Sequence, residues 1–217
     1  MKALRRAHVK RYKVISRLAG AAECIGPLRP GDEITGLTCG QFSAIDILEH
    51  MLNELGPADV CVSTWTAGLY DVDQSARLKE RGYIRSIRML LDRAMFSKSP
   101  QYAGPLIDAL GLESFRDANV HAKVTIVEGE RGAAVMRASM NLNKNLRTEQ
   151  FDISVCAEVA AFYRRWFDGL WMESAPKREA EHVFAAVYDK WQQTRGDPPR
   201  LGVPRASDIA KALRGAA

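Results

Sequence analysis

Cysteine is scarce in this 217-residue chain and scattered along it. Cys24, Cys39, Cys61 and Cys156 form no C-x-x-C pair and have no histidine at ligand spacing. That argues against a zinc site or a disulfide framework and for reduced, mostly buried thiols. Apolar runs are short, and none reaches the about 18 residues that a membrane-crossing helix needs. The charged N-terminus also lacks the continuous apolar segment of a secretory leader, so the sequence predicts a cytoplasmic protein without a membrane span. There is no internal repeat, so any motif carried by the chain occurs in one copy.

What is present is a hydrophobic share of 47%, ordinary for a globular core, in a length that suits one substantial domain with appendages. A net charge of +5 and a pI near 9.1 favour a polyanionic partner. The charge is uneven. Residues 1–17 hold Lys2, Arg5, Arg6, Lys10, Arg11, Lys13 and Arg17 and no acid. Such a density attracts phosphates through counterion release, and it equally suits a solvated arm. From Thr194 the composition shifts to Gly, Pro and Arg, a linker signature, with a short helix predicted over 207–213. The division this suggests is a basic arm over 1–32, a folded domain over 33–195 and a flexible tail over 196–217.

Within the domain, strands and helices alternate. Pro30-Gly31-Asp32 signals a turn into a strand over 33–38. Ser43 then caps a helix with Asp46 at its third position and Ile45, Leu48, Met51, Leu52 and Leu55 as one apolar stripe. Residues 58–64 are short, β-branched and almost continuously apolar, as in a central strand. A helix over 71–82, capped by Asp71 or Asp73, leads to a strand over 83–91, and 105–110 reads as a further helix. This βαβ rhythm predicts an α/β fold with a mixed, largely parallel sheet flanked by helices on both faces. Ligands in such sheets gather beyond the carboxyl ends of the strands, where Trp65 stands. Trp65 borders a site there or packs against the sheet rim. Phe162, Tyr163, Trp166, Phe167 and Leu170 form one helical stripe, and Val183, Phe184, Val187, Tyr188 and Trp191 another, both assigned to packing.

The chemistry concentrates between Asn119 and Asp152. Val120, Ala122, Val124 and Ile126 alternate with His121, Lys123 and Thr125, so a strand here buries one face and carries an imidazole and an ammonium on the other. After Gly129 and Gly132 a returning strand ends at Ser139 and Asn141, which brings a hydroxyl and an amide back toward the same spot. Residues 150–156 read as a further strand with Phe151, Ile153 and Val155 on its apolar face. An imidazole that attacks phosphorus, with an ammonium and an amide holding the charged oxygens, suits phosphoryl chemistry.

These residues resemble the phospholipase D superfamily, whose signature is H-x-K, four residues, D, about six residues, then G-S-x-N. Here His121-x-Lys123 is followed by Glu128 and then by Ala138-Ser139-x-Asn141. Glu128 stands in place of Asp and Ala138 in place of Gly. The family has a further carboxylate beyond the Asn that orients the nucleophilic His, and Glu149 is its best match. His8-Val9-Lys10 also satisfies H-x-K but has no S-x-N behind it.

The resemblance covers about residues 33–175 and one motif, whereas long members carry two. It implies a homodimer whose two His121 side chains share one cleft, one as nucleophile and one as general acid, with Lys123, Asn141 and Ser139 on the phosphate oxygens. It implies no cofactor and no metal. Its small members look like nucleases. Together with Arg5, Arg6, Lys10 and Arg11 as phosphate contacts and Trp65 at the rim, the expectation is a phosphodiesterase acting as an endonuclease, on DNA sooner than on RNA. The alternatives are a catalytically lapsed nucleic-acid-binding module on the same scaffold, and a lipid phosphodiesterase or phosphatidyl transferase.

Overall fold

The computed structural model describes residues 10–15, 20–92, 109–142 and 146–174. In chain order these form β1 (Lys10–Ile15), α1 (Ala21–Ile25), β2 (Asp32–Thr38), α2 (Ala44–Leu55), β3 (Ala58–Thr64), α3 (Leu69–Glu80) and β4 (Ile84–Asp92). After a 3-10 turn at Leu112–Ser114 come β5 (Phe115–Ala118), β6 (Lys123–Gly129), β7 (Gly132–Ala138), β8 (Glu149–Ser154) and α4 (Ala157–Glu173). The predicted helix over 105–110 is described only at Ala109 and Leu110. The second aromatic stripe and the tail over 196–217 lie outside the described residues.

One eight-stranded sheet runs in the order β1-β2-β8-β7-β6-β3-β4-β5. It is mixed, with helices on both faces as expected, but less parallel than the βαβ rhythm predicts. Pairings β1–β2, β3–β4 and β4–β5 are parallel. The four in the middle, β2–β8, β8–β7, β7–β6 and β6–β3, are antiparallel. The cause is that the chain reverses direction three times in succession, between β5 and β6, between β6 and β7 and between β7 and β8, where helical crossovers would have kept its direction. The sheet also begins inside the stretch read as an arm, since β1 pairs along β2 from Lys10 to Ile15.

Two cores separate along the two faces. Under α1, α2 and α3 lie Val60, Val62, Val127, Met136, Phe151 and Ile153. Under α4 lie Cys61, Val124, Ile126 and Val135, closed by Phe167. The α2 stripe is fully inside, with Ile45, Leu48, Met51, Leu52 and Leu55 all at most 3% exposed. Each such side chain is worth about 1.5–3 kcal/mol of burial. Asp46 accepts the Ser43 backbone N–H at 2.7 Å, as the Ser-x-x-Asp spacing predicts. At the other end of α2, Arg131 of the β6–β7 turn donates Nε to the Glu54 carbonyl at 2.8 Å and Nη2 to the Asn53 carbonyl at 2.6 Å. A cation thereby meets the orphan carbonyls of the helix. Helix α3 begins earlier than predicted, with Gly68 and not an aspartate at its N-cap. Asp71 is drawn into the interior at 1% exposure, where the packing of α3 against α2 overrides its capping preference. Among the described residues no helix is long and apolar enough to cross a membrane.

Candidate active site

Antiparallel and parallel pairings bring one end of β3, β4, β6, β7 and β8 to the same edge of the sheet. Ser63 pairs with Val124, Lys123 with Ala138 and Ala138 with Phe151. The end of β3, the start of β6, the end of β7 and the start of β8 therefore lie side by side, and His121, Lys123, Ser139, Asn141 and Glu149 are collected there from distant positions.

His121 is not in a strand. Strand β6 starts at Lys123, and His121 lies in the extended lead-in before it. The alternation read across 120–126 breaks at Ala122, which is exposed, while Thr125 is buried at 3%. The reason is that both faces of β6 are covered, one by α2 and the other by α4, so the strand needs no polar face. The lead-in is instead tied down by Ser63, whose buried hydroxyl donates to the Ala122 carbonyl at 2.8 Å.

That anchoring leaves the His121 side chain exposed and places Lys123 against it. Lys123 Nζ donates to the His121 carbonyl at 2.8 Å and lies 3.0 Å from Nδ1 and 3.1 Å from Nε2. Partial burial holds the Lys123 ammonium below the usual lysine range, while the charges of Glu149 and Asp92 pull it the other way.

Asn141 reaches the same place from the far side of the hairpin. Its Oδ1 accepts the Trp65 backbone N–H at 3.3 Å. A main-chain donor there fixes the oxygen end of the amide, so the Nδ2 hydrogens face away and stay available as donors. Thr64, 1% exposed, ties the two loops together: its hydroxyl donates to the Thr66 carbonyl at 2.9 Å and accepts the Leu142 N–H at 3.3 Å. Trp65 itself is 41% exposed, with its ring 6.1 Å from that of His121. Its ring thus lies beside the imidazole.

Ser139 and Glu149 form a pair of their own. The Ser139 hydroxyl donates to Glu149 Oε2 and accepts the Gln150 N–H at 3.0 Å. Because a hydroxyl has one proton, the bond to Glu149 must break before Ser139 can donate to a phosphate. Glu128, by contrast, is remote. It lies near the opposite end of β6 and pairs with Arg164 of α4. Ala138 sits in regular ladder pairing with Lys123, so a glycine there would gain nothing from its freedom at positive φ. Of the basic contacts read from the sequence, Arg5 and Arg6 lie outside the described residues, and Lys10 and Arg11 fall in β1, whose backbone alone is described.

Ser63 and Asp92 belong to this edge and were not singled out from the sequence. The available signal was polarity at the end of an otherwise apolar central strand, where Val60-Cys61-Val62 gives way to Ser63-Thr64.

The fold is phospholipase D-like. It superposes on Nuc from Salmonella typhimurium, a phospholipase D family member, with a TM-score of 0.51 and 14% identity over 66% of this chain and 95% of that one. Looser fits are NucT from Helicobacter pylori, with a TM-score of 0.46 and 15% identity over 65% of this chain and 97% of that one, and TrmBL2, an archaeal chromatin protein, with a TM-score of 0.42 and 17% identity over 58% and 48%. No family model and no curated protein matches the sequence.

Proposed function

We propose that the chain is a metal-independent phosphodiesterase of the phospholipase D superfamily, an endonuclease that cuts DNA through a phosphohistidine formed in a homodimer. The observation that carries this reading is the Lys123 ammonium held 3.0 Å from the His121 ring at a sheet edge that Asn141 also reaches. In this reading a nucleophile and two independent donors face one tetrahedral phosphate.

In the first step a ring nitrogen of His121 attacks phosphorus in line with the departing oxygen. The N–P bond forms as the P–O bond breaks, and His121 of the partner subunit gives its proton to the alkoxide. In the second step the same partner imidazole removes a proton from water, whose oxygen displaces His121 from phosphorus. Lys123 Nζ and Asn141 Nδ2 hold the nonbridging oxygens, whose charge grows in each transition state. The charge of Glu149, which also accepts the Ser139 hydroxyl, favours the charged form of Lys123. The basic N-terminal stretch supplies contacts to further phosphates. A cytoplasmic location is part of the same proposal.

The test is plasmid cleavage in EDTA by wild-type protein and His121→Ala. Cleavage that resists chelation and is lost in the variant supports the proposal. DNA retained on the protein but cut by neither marks a binding module, and hydrolysis of a short-chain phosphatidylcholine with DNA untouched marks a lipid enzyme.

A further inference from the structure

Trp65 departs from the way large apolar side chains are treated elsewhere at this edge. Met140 and Leu142 are each 4% exposed, yet the Trp65 indole is 41% exposed. The exposure does not come from a loose loop. The Trp65 N–H is held by Asn141 Oδ1 at 3.3 Å, the preceding hydroxyl of Thr64 bonds to the Thr66 carbonyl at 2.9 Å, and Ala67 forms a bridge to Leu142. Three links thus fix the backbone on both sides of an indole that stays in water. Burial of this ring on the sheet would be worth more than leaving it out, so the anchoring holds it in a costly position. The place it occupies is beside the nucleophile, 6.1 Å from the His121 ring with the planes tilted by 49°. The imidazole therefore does not lie flat on the indole, and among the described residues no other ring is paired with it.

We propose that Trp65 is a stacking platform for an unpaired nucleobase next to the scissile phosphate, which makes single-stranded nucleic acid the preferred substrate. This rests on the phosphodiesterase reading of the same site. The two rings are 6.1 Å apart, so a base stacked on Trp65 brings a neighbouring phosphate toward His121 and Lys123. In a duplex both faces of a base are already covered by adjacent base pairs, and the indole is reached only after unstacking. Every base presents a π-face, so the platform selects strandedness and not sequence. Asn141 acquires a second duty, because the amide that donates to the phosphate from Nδ2 also fixes the platform through Oδ1.

The experiment measures binding by fluorescence anisotropy in the His121→Ala background, which keeps strands intact, and adds Trp65→Ala or Trp65→Phe. The probes are labelled oligothymidylate, a strand of equal length with abasic sites, and a duplex. Trp65→Ala is expected to weaken oligothymidylate binding roughly tenfold, as one lost stack does elsewhere, and Trp65→Phe to recover most of it. The same substitution should weaken the abasic strand and the duplex much less. An equal loss on all three probes, or none on oligothymidylate, overturns the platform. Hydrolysis of oligothymidylate in EDTA by protein with an intact His121 separates the two ideas. If that hydrolysis occurs and the binding pattern fails, the platform alone is wrong. If the pattern holds and nothing is hydrolysed, Trp65 stands as a base-stacking contact for binding alone and the phosphodiesterase reading falls.

Discussion

Lys123 and His121 are joined twice: the lysine ammonium donates to the histidine's own carbonyl at 2.8 Å and lies 3.0 Å from its Nδ1. The lysine therefore reports on the placement of the nucleophile as well as on the charge it offers. Lys123→Ala should lower kcat by about 10²- to 10³-fold, the usual cost of one missing donor to a developing oxyanion. Partial burial lowers the Lys123 pKa, so its proton is lost as pH rises through a midpoint below 10.5. Activity that needs the ammonium should fall along that limb. Lys123→Arg, which keeps its charge to far higher pH, should remove the limb from the profile even if turnover suffers. A pH–rate series on both proteins checks this.

The proposed dimer makes a quantitative demand. If each reaction needs His121 from both protomers, co-refolding wild-type protein with an equal amount of His121→Ala should leave about a quarter of the activity, from random pairing. A site complete within one protomer would leave about half. Activity against mixing ratio distinguishes a quadratic from a straight line.

Gly36 is occupied from across the sheet. A Cβ there would come within 2.2 Å of the Phe151 ring, which is fully buried and meets Phe42 edge-on at 5.9 Å. Gly36→Ala should cost about 1–3 kcal/mol through overpacking. Adding Phe151→Leu should return part of it, since the two sites share one volume. Denaturant unfolding of the two single variants and the double variant gives the coupling.

Tyr70 donates to Asp46 at 2.9 Å, and burial followed by that carboxylate pushes its phenol up to about 12. Between an unfolded value of about 10 and that value the native state keeps a proton that the unfolded chain has released. Its contribution to stability is therefore complete below about pH 10 and is lost as pH rises through about 12. An ultraviolet difference titration against Tyr70→Phe should show the late phenolate.

Glu128→Gln separates motif from chemistry. The carboxylate pairs with Arg164 on α4, away from the site edge. The variant should lose about 1 kcal/mol or less of stability with kcat kept, as thermal unfolding and turnover together would show.

Much of the fold was legible because single segments carried it. The stripe from Ile45 to Leu55, the run from Ala58 to Thr64 and the Gly129–Gly132 hairpin each state their structure in local periodicity or turn chemistry. Strand direction was not local. That β8 runs antiparallel beside β2 depends on contacts such as Thr35 to Asp152, 117 positions apart, which no window contains. At the candidate site, spacing named His121, Lys123, Ser139, Asn141 and Glu149 as one group but not how they meet. Strand alternation placed His121 inside β6, whereas a hydroxyl from Ser63 holds the segment before the strand begins. The Ser139 hydroxyl, expected to face phosphate, gives its proton to Glu149 instead. Such partnerships follow from which strands lie together, and the strand order supplies them.

The place of β8 has a consequence for synthesis on the ribosome. It is the last strand to emerge among the described residues, yet it lies between β2 and β7 and is the sole link between the two sides of the sheet. A nascent chain stalled before Glu149 can pair β1 with β2 and close the hairpin, but it leaves two raw edges facing a gap. Those edges are competent to capture a strand from another nascent chain. Translation that pauses after β7 should thus expose this protein to co-aggregation, and the few residues of β8 end that hazard as they arrive.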